Sequence, residues 1–131
     1  MGGRGASSGG RRGRAPRGYR TVGKVHGISV IRDPVRGSGL PTKAKTRAVY
    51  FGTNKTGRII QLRVYGKDGF VKKDIDWAHS FGGHRNGTVH WHKWRGGKRE
   101  KSHNPLTKSD ISKYKKVIEE ASGRKDLIWE W

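Results

Sequence analysis

The run Arg58 to Trp77, RIIQLRVYGKDGFVKKDIDW, decides the fold. Ile60, Leu62 and Val64 alternate with Gln61, Arg63 and Tyr65, which is the period of a strand with one buried face. Gly66-Lys67-Asp68-Gly69 carries hairpin-turn chemistry, so Phe70 to Trp77 is expected to return as a neighbouring strand. Upstream, the β-branched and aromatic run Arg47 to Gly52 predicts a further strand, separated from Arg58 by the turn residues Asn54 to Gly57. Downstream, Thr88 to Trp94 (TVHWHKW) predicts another. From Lys108 to about Ala121 the period changes: Ile111, Tyr114, Ile118 and Ala121 fall on one helical face. Thr107 stands at the N-cap with Asp110 three residues later, and Gly123 ends the helix. Leu127 to Trp131 can add a short terminal strand. Strands followed by a helix predict an α+β domain, a twisted antiparallel sheet with the C-terminal helix packed on it.

The chain has 131 residues with 30 Lys and Arg against 10 Asp and Glu, a net charge of +20. Only 31% of residues are hydrophobic, enough for one modest core and too few for a multidomain enzyme. Residues 1–20 mix Gly, Ser and Arg without hydrophobic periodicity, so ordering them would cost entropy that no core contact offsets. A disordered basic tail is expected there, either a solvated linker or a tether for phosphate through Arg4, Arg11, Arg12, Arg14, Arg17 and Arg20. Val25, Ile28, Val30 and Ile31 suggest one short strand, and Pro34, Gly37, Gly39 and Pro41 break any regular structure after it. The expected organisation is therefore a tail and linker over 1–44 and an ordered domain over 45–131. No apolar run approaches the roughly 18–20 residues that span a bilayer, and no signal peptide is evident, so a small soluble protein without membrane contact is expected. The chain has no cysteine, which excludes disulfides, thiolate metal sites and a cysteine nucleophile. The charge predicts a polyanionic partner, most commonly nucleic acid.

Chemistry concentrates in Lys73 to Trp94, KDIDWAHSFGGHRNGTVHWHKW. With Val71, Ile75 and Trp77 facing the core, strand alternation puts Asp74 and Asp76 on the opposite face; with Val89 and Trp91 inward, Thr88, His90, His92 and Trp94 share the other. The glycine-containing loop between them carries His79 and His84. Three explanations compete. The acids and histidines can be exposed groups in surface ion pairs, worth about 0–1 kcal/mol each. Imidazoles at i and i+2 with carboxylates can hold a divalent metal, although no familiar zinc or nuclease spacing is present. Or the imidazoles can act as metal-free acid and base on RNA. One would take the proton of the ribose 2′-hydroxyl, and another would protonate the departing 5′-oxygen. Arg63, Arg85, Lys93 and Arg95 are then the candidate cations for the developing phosphorane charge, and Trp94 a stacking surface for bases.

Three further stretches carry a resemblance: Met1 to Gly9 (MGGRGASSG), Tyr65 to Asp76 (YGKDGFVKKDID), and the His79 and His84 loop with His90-Trp91-His92. In this order they resemble phage- and prophage-encoded proteins and the C-terminal nuclease domains of bacterial polymorphic toxins. The resemblance covers about Arg47 to Ala121 and the opening nonapeptide. It departs at Ser80, where such domains often have Gly or Pro, and at Val89, where they often have Pro. It implies the fold shared by barnase, EndoU, colicin and RelE-type ribonucleases. The expected function is then a metal-independent endoribonuclease with no cofactor, acting in the cytoplasm of its own or a target cell. His90 and His92, assisted by His79 or His84, would be the acid and base, and Asp74 or Asp76 would orient an imidazole. A toxin of this kind implies an acidic immunity or antitoxin protein as partner. A non-catalytic nucleic-acid-binding phage protein and a metal-dependent nuclease are the alternatives.

Overall fold

A computed structural model describes residues 15–131; of the tail expected over residues 1–20, residues 1–14 lie outside the described residues, whereas Ala15 and Tyr19 pack on the cluster around Ile31 and Tyr65 and Arg20 opens the first strand. Among the described residues the chain forms β1 (Arg20–Val25), β2 (Ile28–Arg32), β3 (Val49–Thr53), β4 (Ile59–Tyr65), β5 (Val71–Asp76), β6 (His90–Arg95), β7 (Lys98–Arg99) and α1 (Lys108–Ser122). The strands make one sheet in sequence order, antiparallel throughout except where β2 runs parallel to β3. The α+β expectation therefore holds, with one parallel pair in a mostly antiparallel sheet.

The sheet starts well before the expected boundary at position 45. Instead of one short strand there is a hairpin, closed by His26 and Gly27 at φ 47° and 81°, both in the left-handed region that a two-residue turn of this hand requires. The difference has a physical source: β1 is edge-on and largely exposed, so Arg20–Val25 shows no hydrophobic alternation. β2, with Val30 and Ile31 buried, belongs to the core.

The parallel β2–β3 pair needs a crossover, and residues 33–48 supply it without a helix. This segment covers one face of the sheet. Leu40, Ala44 and Ala48 pack there with Ile31, Tyr50, Tyr65 and Val71. Leu40 lies so close to Gly52 that a Cβ at position 52 would come within 2.8 Å of it. Tyr65 Oη donates to Pro41 O at 2.6 Å. The opposite face takes α1, whose Tyr114 and Ile118 pack on Val30, Phe51, Leu62, Ile75, Trp77 and Val89. Thus β4 is not a strand with one buried face: Leu62 is buried under the helix, and Arg63 and Tyr65 under the crossover.

Register aligns Phe51, Leu62, Ile75 and Trp91 on the helix side and Tyr50, Arg63, Asp74 and His92 on the crossover side. Pairing passes from Val64–Lys73 to Tyr65–Val71, so Lys72 is an extra residue and the strand bulges. Val71 consequently joins Tyr65 on the crossover side rather than sharing the face of Ile75 and Trp77. Lys73 points to the helix instead, where its Nζ meets Asp110 Oδ2 at 2.5 Å. Thr107 caps α1 by accepting from the Asp110 amide at 3.1 Å, and Gly123 closes it in the left-handed conformation. The expected terminal strand is reduced to a bridge between Ile128 and Thr88, with Leu127 and Trp129 in the core.

Candidate active site

His90 and His92 leave β6 on the face opposite α1, as alternation requires. His90 Nδ1 lies 2.9 Å from Thr88 O, and His92 Nδ1 lies 3.0 Å from Glu100 O. A carbonyl only accepts, so each Nδ1 carries a proton and donates it, which leaves each Nε2 as a lone pair in the neutral ring. Both Nε2 atoms are buried without a hydrogen-bond partner among the described residues. The residues themselves are 0% and 3% exposed.

Two more imidazoles close over them. His79 comes from the β5–β6 loop, where Gly87 N donates to Trp77 O at 2.9 Å and Asn86 Nδ2 to Ala78 O at 3.1 Å. His103 comes from the segment between β7 and α1, held along the outer edge of β6 by reciprocal Trp91–Asn104 backbone bonds of 2.9 and 3.1 Å. One nitrogen from each of His79, His90, His92 and His103 lies within 4.8 Å of the others. His79 and His103 are exposed at the rim. Phe81 stacks on His103 at 4.3 Å and also touches His90. His84 stands apart from this group, on Phe81 and Trp131 at 5.0 and 4.6 Å between ring centres.

Burial, and to a lesser degree the neighbouring His79, His92 and His103, pushes the His90 pKa down to about 4. His103 is also lowered, first by desolvation and then by His92, His79 and Arg99. An imidazole pair with one ring protonated near neutrality therefore cannot place that proton on His90.

The two carboxylates have different fates. Asp74 is fully buried and receives Arg63 Nε and Nη2 at 2.6 and 3.1 Å and Trp94 Nε1 at 2.8 Å. Arg63 also donates to Leu40 O and Pro41 O, and its guanidinium lies 4.8 Å from the centre of the Trp94 ring. Asp74, Arg63 and Trp94 thus tie the crossover to the sheet. Arg63 is not a free cation for substrate, and Asp74 does not orient an imidazole. Asp76 does reach the pocket: its Oδ2 is 3.5 Å from His92 Nε2, while Gln61 Nε2 and Arg99 Nη1 donate to its carboxylate at 3.2 Å. Desolvation, then the charge of Asp74, raises its pKa against the opposing influence of Arg99, His92 and Gln61.

The other expected cations are also displaced. Lys93 pairs in register with Lys73 and so faces the helix side. Arg95 Nε meets Glu100 at 3.2 Å, and Arg85 Nη2 donates to Asp126 O at 2.9 Å. The cation beside the histidines is Arg99, half exposed on β7. The Gly96-Gly97 pair, a hairpin signal in the sequence, places it there, whereas His103 has no local signal because only the Asn104 bridge brings it in.

Compared with known proteins, the chain matches no family model, no curated protein and no solved structure. Among the described residues no helix is long and apolar enough to cross a membrane.

Proposed function

We propose that the protein is an endoribonuclease whose chemistry is centred on the histidine pocket and needs no cofactor. The observation that carries this reading is the convergence of four imidazoles, two buried and two at the rim, in a chain of net charge +20. The exposed rings of His79 and His103 are the ones substrate can touch. One takes the proton of a ribose 2′-hydroxyl, whose oxygen bonds to the adjacent phosphorus. The bond to the 5′-oxygen breaks, and the other ring protonates the leaving oxygen. His103, with its lowered proton affinity, suits the base role. Arg99, whose Nη1 is on Asp76, offers its remaining guanidinium donors to the charge that develops on the phosphoryl oxygens. His90 and His92 form the floor that holds the rim rings, in place of the direct roles expected for them.

DNA has no 2′-hydroxyl, so the reading specifies RNA. The resemblance to phage and polymorphic-toxin nuclease domains supports the same assignment, and with it an acidic immunity or antitoxin partner that would cover the basic face. The test is cleavage of labelled RNA in EDTA by wild type and by the His79→Ala/His103→Ala double variant. Loss of about 10²- to 10⁴-fold in the variant is expected for removal of acid–base catalysis. Unchanged cleavage by the variant would overturn the assignment.

A further inference from the structure

Acid–base chemistry at the rim leaves the floor of the pocket unexplained. Two lone pairs, on Nε2 of His90 and of His92, are buried without partners, and both rings are fixed by Nδ1–H donation to backbone carbonyls. Burying an acceptor with nothing to accept from is unfavourable, so the arrangement calls for an electrophile. Beside them, His92 Nε2 and Asp76 Oδ2 face each other at 3.5 Å without a hydrogen bond.

We propose that His79, His90, His92 and His103 form a binding site for one divalent transition-metal ion of the zinc type. Imidazole nitrogen suits zinc, copper, cobalt and nickel, whereas magnesium and calcium take oxygen. A tetrahedral site with Zn–N of about 2.0–2.1 Å has nitrogens about 3.3–3.4 Å apart. The four nitrogens here lie within 4.8 Å, so closure needs a modest contraction, which falls to the two exposed rings because the buried pair is held by its Nδ1 hydrogen bonds. The buried pair already has the outer support usual for metal-bound histidine, a backbone carbonyl accepting from the other ring nitrogen. Asp76 Oδ2, 3.5 Å from His92 Nε2, adds a carboxylate beside the site.

Four protein ligands complete a tetrahedral shell, which is the closed pattern of a site that holds rather than activates. The ion also takes the lone pairs of His79 and His103. Metal binding and RNA cleavage are therefore mutually exclusive, a statement that rests on the ribonuclease reading, while the site itself does not.

The test uses the untagged full chain, stripped with EDTA and dialysed. Titration with Co²⁺ should give the visible absorption of a tetrahedral Co²⁺ complex, saturating at one ion per chain and displaced by Zn²⁺. The His79→Ala/His103→Ala variant, checked for folding by circular dichroism, should weaken binding at least tenfold, and His84→Ala should not. No binding by wild type, or equal binding by the double variant, would overturn the site. In parallel, stoichiometric Zn²⁺ should slow cleavage of labelled RNA at least tenfold, and EDTA should restore it. Cleavage that requires Zn²⁺ would overturn the exclusivity. RNA left intact in both conditions would overturn the ribonuclease reading and leave the Co²⁺ result to decide the site.

Discussion

His92 Nε2 and Asp76 Oδ2 lie 3.5 Å apart, both buried and with no hydrogen bond between them, and Arg99 Nη1 donates to the same carboxylate oxygen at 3.2 Å. A metal ion at His92 Nε2, or a proton on it, would join the two groups, while Arg99 already offsets part of the Asp76 charge. Asp76→Asn removes the charge and lets an amide donate to His92 Nε2, occupying the lone pair. Co²⁺ affinity should then fall about 10- to 100-fold, the usual range for loss of a group supporting a metal ligand. Thermal stability of the metal-free protein should be unchanged or higher. A spectroscopic titration and a melting curve check both.

Arg63 separates structural from nucleic-acid contacts. Its pair with Asp74 is buried and tied to Leu40 O and Pro41 O. Arg63→Met should leave a buried carboxylate uncompensated and cost about 3–5 kcal/mol in urea denaturation. The salt dependence of RNA binding should keep its slope, since no phosphate contact is lost. A shallower slope with unchanged stability would mean that Arg63 meets RNA.

The depressed pKa of His90 makes metal-free stability depend on pH. Unfolded, the ring takes a proton near 6.5; folded, it does so near 4. Between these values the unfolded chain binds more protons, so stability falls as pH drops from about 6.5 to about 4. The loss from this group is on the order of 3 kcal/mol. Asp76, raised in the folded state, works in the opposite sense. Denaturation curves in EDTA at descending pH, with an NMR titration of the His90 ring, check this. A ring midpoint near 6.5 would contradict it.

A chain beginning at position 45 should not fold cooperatively. It would lose β1 and β2, Leu40 over Gly52, and the carbonyls that receive Arg63. Removing Leu40 alone by Leu40→Ala should cost about 2–5 kcal/mol. Urea titration of both proteins measures the effect, and a two-state transition in the truncated chain would contradict it.

Interaction range separates the features legible in the sequence from those that were not. The place of β4, its hairpin to β5, and α1 with its Thr107 and Gly123 caps are local patterns, and the sequence expectation matched them, whereas the single buried face expected of β4 did not hold. So did the shared face of Asp74, Asp76, His90 and His92, which needs only period-two alternation. The Lys72 bulge, the covering of the second face by residues 33–48 and the arrival of His103 depend on contacts between distant segments. Arg63 was expected to face substrate and Asp74 to orient an imidazole, because charged residues are seldom buried, yet each satisfies the other here.

In the proposed ribonuclease the exposed imidazoles of His79 and His103 do the chemistry on RNA. Incubating total RNA with wild type and with the His79→Ala/His103→Ala variant in EDTA tests it most directly. The expected result is fragments ending in 2′,3′-cyclic phosphate from wild type and intact RNA from the variant; intact RNA from wild type would contradict the claim.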